Sequence, residues 1–174
     1  DKGQHDQAIV EYNKALEINP EYVHAYNNRG SAYYYKGQYK RAIYEYNKAI
    51  EIDPNYALAY KNRGSAFRKK GQYDRAISDF DTAIKINPKY DNAYNSKAWL
   101  LATCLDDRYR DGEYAIELAK KALEITEMAP TIDTLAAAYA EAGRYQDAIR
   151  TQERAIAVLS KEGEMKDMAN YKER

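Results

Sequence analysis

Residues 21–54, EYVHAYNNRGSAYYYKGQYKRAIYEYNKAIEIDP, decide the fold, because residues 55–88, NYALAYKNRGSAFRKKGQYDRAISDFDTAIKINP, repeat them at a step of 34. Asn-Arg-Gly-Ser-Ala stands at 28–32 and again at 62–66, Gly-Gln-Tyr at 37–39 and 71–73, and prolines fall at 20, 54 and 88. Self-similarity at one fixed period is the mark of stacked supersecondary units. Ala42, Ile43, Tyr46, Ala49, Ile50 and Ile52 recur mostly at three- and four-residue steps, which is one face of a helix. Gly37 and Gly71 supply the helix stop and turn that a residue with a Cβ resists, and the prolines close the second helix of each pair. Each unit therefore reads as two helices, A then B. A hairpin of this size cannot bury its apolar face alone, so neighbouring units must stack. Small residues at the expected contacts (Gly30 and Gly64 in A helices, Ala42, Ala49, Ala76 and Ala83 in B helices) let backbones approach while an aromatic from the next helix fills the remaining space.

These residues resemble the tetratricopeptide repeat family, whose unit reads aromatic-x2-Leu-Gly-x2-Tyr, then Ala-x3-Phe, then Pro. The second unit offers Tyr26, Arg29, Gly30, Tyr33, Ala42, Tyr46 and Pro54; the third offers Tyr60, Arg63, Gly64, Phe67, Ala76, Phe80 and Pro88. Arg29 and Arg63, continued by Lys97, stand where the family usually carries an apolar residue. Their expected role is an aliphatic stem on the helix flank, with the charge paired to an acid of a B helix. The resemblance implies an all-α fold, a right-handed α-solenoid of antiparallel helix pairs. The expected organisation is a single array: residues 1–20 as the B helix of a truncated first unit, units at 21–54 and 55–88, an irregular unit at 89–128, a unit at 129–160, and a polar capping helix at 161–174. Ala59 maps to Ala93 at offset 34 whereas Ala76 maps to Ala115 at offset 39, which places a five-residue insertion near 105–111.

Composition narrows the function. With 27 Lys+Arg against 27 Asp+Glu the chain is formally neutral, which argues against nucleic acid as a partner, since phosphate binding needs clustered excess cations. The longest stretch without a charge, residues 98–105, falls far short of a membrane-spanning helix, so no membrane insertion is expected. One cysteine and two histidines leave most catalytic and metal sites without their parts. Asp106, Asp107 and Asp111 lack the glycine spacing and terminal Glu of a calcium loop, and Cys104 reads as a packing residue. No catalytic site, no metal and no cofactor is expected, and the chain reads as a non-enzyme. The compartment stays open, with the cytoplasm favoured.

Function is then sought on A-helix residues that the packing pattern does not use, because stacked pairs curve with their A helices lining a concave surface. The candidate peptide-binding set is His24, Asn27, Asn28, Ser31, Tyr34 and Tyr35 in one A helix, Lys61, Asn62, Ser65, Arg68 and Lys69 in the next, and Asn95 and Trp99 in the irregular unit. Asn28 and Asn62 occupy equivalent places and resemble the asparagine row with which some tetratricopeptide proteins grip a peptide backbone. The same amides could instead bond neighbouring helices to each other. Lys61, Arg63, Arg68, Lys69 and Lys70 fall within 58–70 with no acid, which favours an acidic partner segment. The family mode that clamps the chaperone terminus Glu-Glu-Val-Asp is not expected, because Asn27, Ser31, Asn62, Asn92 and Ser96 fill its places and its cations are missing.

The leading expectation is a protein–protein interaction scaffold holding a peptide segment in the concave groove. The alternatives are a self-assembling scaffold, pairing as a homo-oligomer through an open N-terminal face at Ala8, Ile9, Tyr12 and Ala15, and the targeting arm of a larger enzyme. Of 19 tyrosines, the repeat architecture accounts for all but Tyr34, Tyr35, Tyr44, Tyr109, Tyr114 and Tyr171, which directs attention to Tyr34 and Tyr35.

Overall fold

A computed structural model describes the backbone of residues 2–172 and the side chains of residues 3–160. Among the described residues there are helices and turns and no strand. Two compact units make up the chain, Asp1–Lys89 and Tyr90–Arg174. The first holds α1 (Lys2–Ile18), α2 (Val23–Tyr35), α3 (Tyr39–Ile52), α4 (Ala57–Lys69) and α5 (Tyr73–Ile86). Here α2 pairs with α3 and α4 with α5, while α1 lies on α2, α3 on α4, and α2 touches α4 directly. The second holds α6 (Asp91–Thr103), a 3-10 turn (Asp107–Tyr109), α7 (Gly112–Ile125), α8 (Ala129–Glu141) and α9 (Tyr145–Lys172). In it α6 pairs with α7 and α8 with α9, and α8 packs on both α6 and α7.

The connections follow from a few residue types used repeatedly. Gly37, Gly71 and Gly143 take φ of +73, +69 and +73°, the left-handed C-terminal stop. The amide after each reaches back into the preceding helix, as Gln38 does to the Tyr33 carbonyl at 2.9 Å. At the other connection Asn19, Asp53 and Asn87 each accept a hydrogen bond from the amide two residues on, at 2.9–3.0 Å. The proline between acceptor and donor cannot extend the helix, so these turns begin the next A helix in the same register each time. The irregular pair breaks both rules. Residues 104–111 join α6 to α7, where three residues join α2 to α3, α4 to α5 and α8 to α9. Asp106 and Asp111 cap the 3-10 turn and α7 through the amides of Arg108 and Tyr114. Cys104, at the end of α6, is buried. Pro130 opens α8 instead of closing a helix.

Packing rests on alanines and glycines facing rings. Ala42, Ala49, Ala59, Ala66, Ala76 and Ala83 are all fully buried, with Tyr46 and Phe80 among them. A Cβ on Gly30 would stand 2.7 Å from the Tyr46 ring, and one on Gly64 2.8 Å from the Phe80 ring and 3.1 Å from the Ala76 carbonyl oxygen. In the second unit Gly112, at the start of α7, leaves only 2.5 Å to the Ala142 nitrogen. There Ala98 and Ala119 occupy the glycine and aromatic places, and Leu100, Leu101, Ile116 and Leu118 supply the buried bulk instead. The last helix runs from Tyr145 through to Lys172 as one element. The polar cap expected over 161–174 has its side chains outside the described residues.

These close approaches predict a graded response to alanine. Gly64→Ala and Gly112→Ala should each cost about 1–3 kcal/mol in urea unfolding through overpacking, with Gly112 the worse because its neighbour is backbone. Gly3→Ala, whose Cβ would meet nothing within 4 Å, should instead be neutral or mildly stabilising, because it lies in α1.

Candidate functional site

The face where α2 meets α4 carries a cleft of about 170 Å³ lined by Ser31, Tyr34, Tyr35, Tyr46, Lys61, Asn62 and Ser65. All of these except Tyr46 come from the sequence-derived set. They converge because α2 and α4 lie against each other, with Ser31 and Ser65 one period apart and the Tyr46 ring of α3 reaching between them. The cleft is tied together by amides. Asn62 Nδ2 donates to Asn27 Oδ1 at 2.9 Å, Asn27 Nδ2 donates to Asn28 Oδ1 at 3.2 Å, and Lys61 Nζ donates to Asn62 Oδ1 at 3.2 Å. Asn27 is 2% exposed, so it serves as a buried link between the two A helices. Asn62 is committed to that link, and Asn28 is the exposed end of the relay.

Both serine hydroxyls turn back on their own helices. Ser31 donates to the Asn27 carbonyl and Ser65 to the Lys61 carbonyl, each at 3.1 Å. Tyr46, whose place in the repeat suggests a packing role alone, also reaches the cleft and donates its hydroxyl to Ser31 Oγ at 3.3 Å. Its counterpart Phe80 has no hydroxyl, and that Tyr-for-Phe difference facing a serine is the signal by which sequence could have found it. Burial pushes the Tyr46 phenol up to about 12. Tyr34 is half-buried, its ring edge-on to Tyr35 and Tyr39, and burial raises its phenol pKa while the Arg68 charge pulls it back. Both therefore stay hydrogen-bond donors at neutral pH. Tyr35 is 71% exposed and stacks on His5 at 5.5 Å.

The remaining candidates scatter around this centre. His24 opens α2, exposed, with Nδ1 2.9 Å from the Tyr56 hydroxyl and its ring edge-on to Tyr22 and Tyr56. Arg68 is half-buried beside Tyr34, and Lys69 is exposed at the end of α4. Asn95 and Trp99 belong to α6 in the second unit. Trp99 is half-buried there, and Asn95 Oδ1 is buried with no hydrogen-bond partner among the described residues.

Arg29 and Arg63 take the structural role expected of them. Arg29 donates to Glu45 at 2.7 and 3.0 Å and to Asn13 at 2.7 Å. Arg63 pairs likewise with Asp79, donating to its two oxygens at 2.7 and 2.8 Å, and with Asn47 at 2.7 Å. The acids come from B helices and are 6% and 5% exposed. Burial raises the Glu45 pKa, opposed by the hydrogen bond and charge of Arg29. Lys97 is buried with its Nζ 3.4 Å from the Tyr114 hydroxyl and 4.9 Å from the ring centroid. Among the described residues no His, Cys, Asp and Glu cluster could hold a metal, and no helix is long and apolar enough to cross a membrane.

Comparison with known proteins agrees with this architecture. A family model described as "TPR repeat" matches residues 1–34 and 30–71, and models described as "Tetratricopeptide repeat" match 57–90 and 131–161. No curated protein matches the chain. Among solved structures, MamA is 26% identical over 94% of this chain and 93% of that chain, with a TM-score of 0.74. A second MamA structure has the same identity of 26%, covering 94% and 87% with a TM-score of 0.71. TTC0263, a thermophilic TPR protein of Thermus thermophilus, is 21% identical, covering 89% and 83% with a TM-score of 0.76, and shares the fold.

Two measurements check these assignments. Asp79→Ala strands Arg63 and should cost about 3 kcal/mol, whereas the double change Arg63→Met with Asp79→Leu should cost distinctly less; urea unfolding of the two variants beside the wild type reads the difference. The Tyr46 phenol, ordinarily near 10 and here about 12, stays protonated in both folded and unfolded chain below pH 10. Between pH 10 and 12 the unfolded chain loses that proton first, so about 2–3 kcal/mol of stability should disappear across the window. Tyr46→Phe should cost no more than about 1 kcal/mol at pH 7 and remove that part of the alkaline slope.

Proposed function

This chain belongs to the tetratricopeptide repeat family and is a protein-interaction scaffold, and from that premise we propose that its first unit holds a peptide segment of a partner protein against the face shared by α2 and α4. The observation that carries the reading is the cleft itself, which gathers side chains of two adjoining A helices into a single recess. Tyr35 and Asn28 are exposed beside it. An exposed, stacked aromatic loses little side-chain freedom on binding and offers a large contact area. Asn28, whose Oδ1 already accepts from Asn27, has Nδ2 protons suited to a backbone carbonyl of an extended peptide. Asn62 and Asn27 hold the two helices at the separation that keeps the recess open. Their contribution is positioning. Arg29 and Arg63 are likewise engaged with B-helix acids and take no part in contacting the segment.

The test is selection of peptides about a dozen residues long from an unbiased displayed library on the whole chain, followed by photo-crosslinking of the selected peptides. Crosslinks are expected on residues of α2 and α4 around Tyr35 and Asn28. Tyr35→Ala and Asn28→Ala should each weaken binding about five- to thirtyfold, as for interface residues worth about 1–2 kcal/mol, with the thermal midpoint unchanged because both side chains are exposed. Crosslinks centred on Tyr44 of α3, or affinity indifferent to both changes, would sink the reading.

A further inference from the structure

Neither α2 nor α4 contains an Asp or a Glu. Acids of B helices pair with Arg29 and Arg63. The first unit also holds Arg41, Arg68 and Arg75. Arg41 and Arg75 bond the side chains of Gln38 and Gln72, which leaves Arg68 as the arginine of this unit that, among the described residues, forms neither a hydrogen bond nor an ion pair. It is half-buried and stands 34 residues after Tyr34, at the equivalent place on the adjoining A helix, where its charge acts on that phenol. A guanidinium has five donors in a planar fork that matches the two oxygens of a carboxylate, and a half-buried one without a partner is a ready seat for such a group. Beside it the Tyr34 hydroxyl remains a donor, and Lys61 adds positive charge to a cleft whose lining includes no acid.

Resting on the groove reading above, we infer that the bound segment is acidic and that one of its Asp or Glu side chains seats between Arg68 and Tyr34. The carboxylate takes the guanidinium fork and the phenol proton, and Lys69 at the end of α4 attracts a further acid along the segment. The recess of about 170 Å³, lined by Tyr34 but not by Arg68, takes a neighbouring side chain of the segment. A carboxylate is preferred to a phosphoryl group because one fork and one hydroxyl satisfy two planar oxygens, whereas a phosphate dianion presents three oxygens and more charge. Binding that depends on a half-exposed cation also weakens as salt rises.

The same displayed library separates the outcomes when it is selected in parallel on the whole wild-type chain and on Arg68→Gln. The wild-type pool should be enriched in Asp and Glu and the Arg68→Gln pool should not. A representative peptide should lose about tenfold in affinity when its central Glu becomes Gln, and that preference should vanish on Arg68→Gln, persist on Arg75→Gln and shrink in high salt. Arg68→Lys, which keeps the charge and loses the fork, should recover only part of it. A wild-type pool that binds in a Tyr35-dependent manner without acidic enrichment overturns this inference and leaves the groove reading standing. Acidic peptides that bind regardless of Arg68 and Tyr35, or a failure to select any peptide, overturn both. Tighter binding when phosphoserine replaces the central Glu overturns the carboxylate assignment.

Discussion

The distance between paired helices is set by a glycine meeting a ring, Gly30 against Tyr46 and Gly64 against Phe80, and much else in the first unit depends on that approach. With less than 3 Å between a notional Cβ and the facing ring, the A and B backbones sit as close as their atoms allow. At that separation the facing alanines are fully buried, and the guanidinium groups of Arg29 and Arg63 lie on Glu45 and Asp79. A looser hairpin would leave those acids buried without partners, which costs more than the pair gains. Close packing and charge pairing are therefore one constraint expressed twice.

That constraint also decides the electrostatics of the exposed A-helix face. Because α2 and α4 carry no acids, each cation on them depends on another helix, or on a partner, for compensation. Glu45 and Asp79 can reach only the arginines that point toward α3 and α5. Arg68 and Lys69, near the C-terminal end of α4, suit the negative end of the helix dipole, but the dipole supplies no planar acceptor for a guanidinium fork. The chain is formally neutral as a whole and polarised on the surface where a partner would lie.

Some of the site was legible in the sequence and some was not. Ser31, Tyr34, Tyr35, Lys61, Asn62 and Ser65 stand among the A-helix residues that the packing pattern leaves unused, and they line one cleft, whereas the other candidates do not. The pairing of Arg29 and Arg63 with B-helix acids was also readable, since a fixed offset of 16 residues brings each arginine to its acid in both units. The asparagines were not readable in the same way. Asn27 and Asn28 are adjacent, yet one is buried and bonded to the next A helix while the other is exposed, because successive residues on a helix are turned by about 100°. Which of two neighbouring amides faces inward depends on how α2 is rotated about its axis. Tyr46 escaped for a related reason. Its ring belongs to the core and its hydroxyl to the cleft, and a pattern that sorts whole residues into packing or surface cannot divide a side chain in two.

The sequence by itself determined the helix pairs, their stops and starts, the residues that bring them close, and the ion pairs that repeat with the period. All of these are properties of spacing along the chain, where a step of three, four or 34 residues maps directly onto geometry. The tertiary structure alone decided which hydrogen-bonding groups are already used and which remain. A hydrogen bond forms or fails within a few tenths of an ångström, and that tolerance is set by how neighbouring helices seat against each other. Asn62 turned inward to Asn27, and Arg68 left without an acid among the described residues, are consequences of that seating.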